Sequence, residues 1–274
     1  MKYNFLVALV MFTGFVHAQR KPKIKGNRSV VQVNENLSPF HAIRLIDDLE
    51  IVLKKSFEEG YTIEADDNLI DVLKFEVEDG TLLISSFYKI TAKKKLEITI
   101  NYKELESIIM ENGKINTQDV ISSDELSIKT SGPSRLELNA NATITHLAME
   151  GISSGDFNFA SDSIDVQLKD RIDARIYVVG ESTHVSMQKN ATARLEGTTD
   201  SLQVNLYGNA NLKAERCEAT SVKAFLEESS NANIYALTNF ELSSKGSSRV
   251  NLYGNPKIGI SEFLDTSKLH KAVD

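Results

Sequence analysis

Apolar and polar residues alternate over much of this chain, and between residues 105 and 252 the alternation is organised as a repeat. Each repeat begins at an apolar residue and meets a second apolar residue ten positions later. Alternation of this kind predicts short β-strands that bury one face. The eight pairs are Leu105/Ile115, Leu126/Leu136, Leu147/Phe157, Val166/Ile176, Val185/Leu195, Leu202/Leu212, Ala224/Ile234 and Phe240/Val250.

The spacing of these repeats predicts the fold. Their starts lie 21, 21, 19, 19, 17, 22 and 16 residues apart, and segments rich in Gly, Ser, Asn and Asp interrupt them, as at 131–133 and 154–156. Strand, turn, strand and loop repeated at this interval are typical of one coil of a solenoid. We therefore predict an all-β fold, a parallel β-solenoid of about eight coils over residues 104–260, right-handed because parallel crossovers have that sense.

The segments on either side of the repeat differ from it. Residues 29–103 are rich in predicted strands but lack the repeat, so we expect an irregular N-terminal β cap that covers the apolar end of the solenoid and is continuous with it. Pro256 cannot donate to a β-ladder, so the stack is expected to stop there. Residues 261–274 are then a polar C-terminal tail with weak helical potential.

The start of the chain has the pattern of a signal peptide. In residues 1–18, Lys2 precedes an apolar stretch and Val16-His17-Ala18 resembles a cleavage site, although a buried strand is the alternative. We expect export to the periplasm or the cell surface, with no transmembrane anchor, because no later segment is long and apolar enough. Residues 19–28 form a basic leader, interpreted as a flexible spacer, with contact to an acidic surface as the alternative.

Composition restricts the chemistry. The net charge of −7 and the pI of about 5.4 argue against a nucleic-acid partner. Cys217 is the only cysteine, which excludes an internal disulfide, and its acidic neighbours predict an inert thiol in a loop. The sequence has no phosphate-binding glycine loop, Cys/His cluster or EF-hand, so we expect no cofactor and no metal.

Aligning the repeats predicts a cationic stripe. Nine places after the repeat starts stand Lys114, Arg135, Asp156, Arg175, Arg194, Asn211, Asn233 and Arg249. The ladder two places on contains Glu137, Tyr177, Glu196, Lys213 and Tyr235. Coils stack about 4.8 Å apart, so Arg and Tyr side chains on this face could bind an anionic glycan or an acidic cell-surface protein. A solvated face with charges pairing down the ladder is the favoured alternative. The binding candidates are Arg135, Arg175, Tyr177, Arg194 and Arg249.

A second ladder, one place before three successive repeat starts, contains His146, Asp165 and His184. Zinc accepts such a ligand set, but the outer two residues are about 10 Å apart at the backbone, so a surface aspartate between two histidines is favoured.

Carboxylates near the middle of the repeat suggest an enzymatic alternative. Paired-carboxylate hydrolysis requires two of them to converge at about 5–10 Å. The candidates fall in turns and outward positions, with no long insertion to build a cleft, so we do not expect catalysis. The candidates are the carboxylates of Asp162, Asp165, Asp170 and Asp173, with Arg171 as the basic partner.

Several motifs together resemble one family. Phe40-x-x-Ile43, Asp67-Asn68-Leu69, Val77 to Leu82, Ser153-Ser154-Gly155-Asp156 and Leu252 to Pro256 resemble the head GIN domain of putative auto-transporter adhesins, which are exported proteins common in Bacteroidota. The resemblance spans about residues 38–258. It implies a solenoid and export, and it brings no catalytic residues. We expect a non-enzymatic, adhesin-like or surface-scaffold protein. The alternative is a polysaccharide lyase or hydrolase on a β-helix.

Overall fold

The computed structural model describes residues 21–272 and is 72% strand and 2% helix. The predicted signal peptide, residues 1–18, lies outside the described residues. The cap contains β1 (Lys23–Lys25), β2 (Val30–Asn36), β3 (Ala42–Leu45), β4 (Glu50–Lys55), β5 (Gly60–Asp66), α1 (Asp67–Ile70), β6 (Leu73–Glu78), β7 (Thr81–Ser86), β8 (Lys89–Ala92) and β9 (Leu96–Tyr102). The stack contains β10 (Ser107–Met110), β11 (Lys114–Thr130), β12 (Arg135–Met149), β13 (Ser154–Asp170), β14 (Asp173–Lys189), β15 (Thr192–Leu206), β16 (Asn211–Leu226), β17 (Asn231–Ser244), β18 (Arg249–Tyr253), β19 (Lys257–Phe263) and β20 (Lys268–Lys271).

The predicted parallel β-solenoid is confirmed, with about 9 turns. The long strands β11 to β17 each pair in parallel with the next strand in the sequence. Along one ladder Ser154 lies opposite Asp173, Asp173 opposite Thr192 and Thr192 opposite Asn211, a constant step of 19 residues. The repeat in the sequence is therefore the length of one coil.

One apolar column runs through the stack. Leu126, Leu147, Val166 and Val185 all belong to a single buried cluster, because every second residue of each coil points inward. The same cluster extends into the cap through residues such as Ile43. Burying an aliphatic side chain of this size contributes about 1.5–3 kcal/mol, so the column is the main source of stability.

The cap joins the stack by hydrogen bonds as well as by packing. Strands β3 and β4 pair in parallel with β10 and β11, so the first coil is laid directly on the cap. Antiparallel pairing of β2 with β5, β5 with β9 and β6 with β7 makes the cap irregular. No helix among residues 21–272 combines the length and the apolar character that crossing a membrane requires.

Both ends of the described chain are more ordered than the sequence predicted. In the leader, β1 pairs in parallel with β8, because Ile24 lies beside Ile90 and gives the segment an apolar side. In the segment expected to be a tail, β19 pairs with β17 and β20 with β18, so it is strand rather than helix. Pro256 does not end the stack, since it lies in the turn before β19 and interrupts no ladder.

Candidate functional site

The predicted cationic stripe is divided between two ladders. Arg175 lies opposite both Asp156 and Arg194, and Arg194 lies opposite Lys213. Arg135, however, lies opposite Ser154 rather than Asp156. The assumed alignment of repeat starts was wrong here by two residues. Because side chains alternate with a period of two, such a shift keeps the apolar residues inside.

The second ladder carries a run of positive charge. Arg175, Arg194 and Lys213 stand on three successive coils, about 4.8 Å apart at the backbone. Arg175 donates to Asp156 through Nη2, 2.9 Å from Oδ2, and through Nε. This hydrogen bond holds the pKa of the Asp156 carboxyl below its usual value. Within the described part of the chain, no carboxylate lies within 4.0 Å of Arg194 or Lys213, so those two charges face solvent unneutralised.

Arg135 belongs to the neighbouring ladder but reaches the same place. Its guanidinium pairs with Glu137 on its own strand at 2.9 Å. With the three stacked cations it borders an open depression of about 370 Å³. We call Arg135, Arg175, Arg194 and Lys213 the cationic face. Between the cations the depression is lined by the side chains of Ser154, Asp173 and Thr192 and by the backbone at Gly155 and Ala193, whose side chain lies in the core.

Two predicted residues lie outside this depression. Tyr177 is 47% exposed and lines an adjoining depression of about 380 Å³ with Asn158 and Glu196. Arg249 belongs to β18, three strands along the stack from the strand of Arg194, and lines neither depression.

Lys213 is the functional candidate that the sequence reasoning placed in the wrong ladder. The available signal was the constant coil length, since Asp156, Arg175, Arg194 and Lys213 follow one another at intervals of 19 residues. The apolar repeat starts do not show this interval, because between some coils they are offset by two residues from the register of the strands.

The predicted histidine ladder is in register. His146 lies opposite Asp165 and Asp165 opposite His184. Nδ1 of His184 lies 2.8 Å from Oδ1 of Asp165, and its Nε2 lies 2.9 Å from the amide nitrogen of Asn205. With the proton on Nδ1, both ring nitrogens are satisfied and neither is left for a metal. Across residues 21–272, no group of three His, Cys, Asp or Glu is arranged to hold a metal ion.

The carboxylates considered for hydrolysis have separate partners. Asp165 contacts His184, Asp170 contacts Lys189, and Asp173 borders the cationic depression. The Lys189 ammonium lowers the pKa of Asp170, whereas a general acid requires a raised value. Asp162 faces a different groove. The four carboxylates that the sequence suggested are therefore not brought together at one site.

The largest depression described, about 1060 Å³, lies where the cap meets the first coils. Its charged lining is mostly acidic, with Lys55 and His41 as the basic members. Such a groove repels anionic ligands, whereas the cationic face attracts them. The acidic residues are Glu104, Glu106, Asp124, Glu125 and Asp162.

Cys217 lies in β16 rather than in the predicted loop, opposite Gly197 and fully buried. Burial raises the pKa of its thiol to about 12. At neutral pH the group is therefore a protonated core side chain and not a nucleophile.

The sequence matches the family described as putative auto-transporter adhesin, head GIN domain, over residues 39–158 and 153–256. The chain belongs to this family. Membership confirms the resemblance found in the motifs and indicates an adhesin-like protein that is exported or at the cell surface. No curated protein is significantly similar to the chain.

Solved structures confirm the architecture. A putative adhesin from Parabacteroides merdae is 14% identical, with a TM-score of 0.70, and the alignment covers 92% of this chain and 100% of that one. A putative adhesin from Parabacteroides distasonis is 16% identical, with a TM-score of 0.67 and coverage of 91% and 100%. A protein from P. distasonis described as a putative lipid binding protein is 20% identical, with a TM-score of 0.62 and coverage of 91% and 100%. At these identities the likeness is one of fold.

Proposed function

We propose that this member of the family is a non-enzymatic surface protein that binds anionic glycans through the cationic face. The observation that carries the proposal is the stack of Arg175, Arg194 and Lys213 in register on successive coils. A linear glycan lying along the solenoid axis would meet one positive side chain at each coil. For the rival function, hydrolysis or elimination on a β-helix, the carboxylates that the sequence suggested have separate partners.

The chemistry of the face suits carboxylated or sulfated sugars. A guanidinium binds a carboxylate or sulfate through two parallel hydrogen bonds, which gives orientation as well as attraction. Gly155 has no side chain and the Ala193 side chain lies in the core, so a sugar ring can approach the backbone at these positions. Tyr177 offers an exposed ring in the adjoining depression. Adhesion also requires a stiff support, and the hydrogen-bonded ladders supply it.

The test is a glycan array with carboxylated, sulfated and neutral sugars. Arg175→Gln/Arg194→Gln/Lys213→Gln should lose binding to the anionic sugars by at least about 100-fold, since each charge-assisted hydrogen bond contributes about 1.5–3 kcal/mol. The control Lys103→Gln/Lys129→Gln/Lys223→Gln removes the same charge from exposed positions elsewhere and should bind as the unchanged protein does.

Circular dichroism should show that both triple variants are folded. Equal binding by the two variants, or no anionic sugar bound by the unchanged protein, would contradict the proposal. Depolymerised polysaccharide in the same incubations would favour the enzymatic alternative.

A further inference from the structure

A second cationic surface lies on the N-terminal cap. Residues 21–28 contain four basic and no acidic residues, and residues 81–96 likewise contain four basic and no acidic residues. The chain as a whole has a net charge of −7. The two segments are far apart in sequence, and the pairing of β1 with β8 brings them together.

The pairing also decides which side chains face outward. Lys23 lies opposite Lys89 and Ile24 opposite Ile90. Since parallel partners point to the same side of a ribbon and successive residues to opposite sides, the lysines share one face and the isoleucines the other. Ile90 packs against the core, which turns the lysine side towards solvent. We call the exposed residues Lys23, Lys25, Lys89, Lys93 and Lys94 the lysine ribbon.

The ammonium groups of the lysine ribbon form no ion pair with the carboxylates that the structure describes. The ion pairs formed nearby use other lysines, Lys21 with Asp47 at 2.5 Å and Lys95 with Glu64 at 2.7 Å. Among the residues that the structure describes, no carboxylate oxygen lies within 4.0 Å of the five ribbon ammonium groups. A nearby carboxylate, Asp66, accepts a hydrogen bond from the backbone N–H of Lys94 at 3.0 Å rather than from its ammonium group. Like charges side by side on paired strands are destabilising, so an external anion would stabilise the ribbon.

Two exposed aromatic rings adjoin the ribbon. Phe87, 58% exposed, and Tyr88, 38% exposed, immediately precede Lys89. Aromatic rings beside lysines suit the interface of a bilayer, where rings lie at headgroup level and ammonium groups meet lipid phosphates. Because the Phe87 side chain has no polar group, burial of its exposed ring favours a lipid surface over a hydrated polyanion. We propose that the lysine ribbon docks the cap on an anionic lipid surface.

This docking would set the direction in which the protein presents its binding surface. The cap covers one end of the stack, since β3 and β4 pair with the first solenoid strands. The cationic face lies on strands β12 to β16, whereas the ribbon lies on β1, β8 and the residues that follow β8. The two surfaces use different residues and are tested by different variants, so glycan binding can fail while lipid binding succeeds.

The experiment is sedimentation of the purified full chain with phosphatidylcholine vesicles, with and without about 30% phosphatidylglycerol. Binding should require the anionic lipid and fall at high salt. Each lysine near such a surface contributes about fivefold, so Lys23→Gln/Lys25→Gln/Lys89→Gln should lower the partition coefficient about 100-fold. Lys93→Gln/Lys94→Gln, outside the β1 pairing, should lower it about 25-fold.

Two further variants distinguish docking of the ribbon on lipid from a general effect of positive charge. Phe87→Ser should weaken vesicle binding with no change of charge. The cationic-face variant of Arg175, Arg194 and Lys213 should leave it unchanged, although it removes as much charge as the first ribbon variant. All variants share residues 1–18, so the differences between them report the ribbon.

The proposal is overturned if anionic vesicles do not retain the unchanged protein, or if the cationic-face variant loses as much binding as the ribbon variants. It is also overturned if heparin binds the ribbon while Phe87→Ser has no effect on vesicles, which would assign the surface to a glycan.

Discussion

Gly197 offers a direct test of how closely the coils are stacked. Its φ of +109° is one that residues with a Cβ rarely adopt, and a Cβ added there would lie 2.0 Å from the carbonyl oxygen of Val178 on the neighbouring coil. That atom belongs to the backbone of the adjacent rung, so it cannot rotate away. Gly197→Ala must therefore displace the ladder.

The expected cost follows from two contributions. Holding alanine in an unfavourable backbone conformation costs about 1–3 kcal/mol, and weakening one ladder hydrogen bond costs about 0.5–1.5 kcal/mol. Together they predict a loss of about 2–4 kcal/mol. At about 2–4 °C per kcal/mol for a domain of this size, the Tm should fall by about 5–15 °C.

The matched control is Gly259→Ala. Gly259 lies on strand β19, near the end of the stack, and the nearest atom to an added Cβ there is 3.8 Å away. This change should alter stability by less than about 0.5 kcal/mol, or stabilise slightly by restricting the unfolded chain. Thermal and urea unfolding followed by circular dichroism measure both variants. Equal stabilities would refute the close approach of the coils at Gly197.

Three further outcomes are expected. Phe240→Ala, which empties a fully buried site in the column, should cost about 3–5 kcal/mol in urea unfolding. The exposed Leu237→Ala should change little, and similar losses would contradict the single core. Iodoacetamide should label Cys217 at about pH 8 only after unfolding, because burial raises its thiol pKa to about 12; rapid labelling of the folded protein would be inconsistent with that burial. Because Lys189 lowers the pKa of Asp170 below 3.8, the folded state binds fewer protons there than the unfolded chain. The pairing of Asp170 with Lys189 therefore stabilises the folded state at neutral pH, and this stabilisation is lost as the pH falls below about 4. Asp170→Asn should make the free energy of unfolding depend less on pH in the acid range, and an unchanged dependence would contradict the pairing.

The path of the chain at its two ends was not predictable from local pattern. Lys23 to Lys25 is too short and too polar to be predicted as a strand, and it becomes one because β8 offers Ile90 beside Ile24. Lys268 to Lys271 similarly becomes a strand because β18 presents an open edge. In both cases the partner strand, and not the propensity of the segment, determines the structure.

The sequence by itself determined that this chain stacks coils of about 19 residues around one apolar column. The alternation of apolar and polar residues predicts which side chains point inward, and the repeat length predicts how many residues make one coil. The sequence could not determine the lateral alignment of the coils, since a shift of two residues leaves every apolar side chain buried. Turn hydrogen bonds and bulges, such as the one between Arg194 and Glu196, settle that alignment. Only the tertiary structure therefore decided that Lys213, rather than Arg249, completes the cationic face, and that lysines from two distant segments form one ribbon.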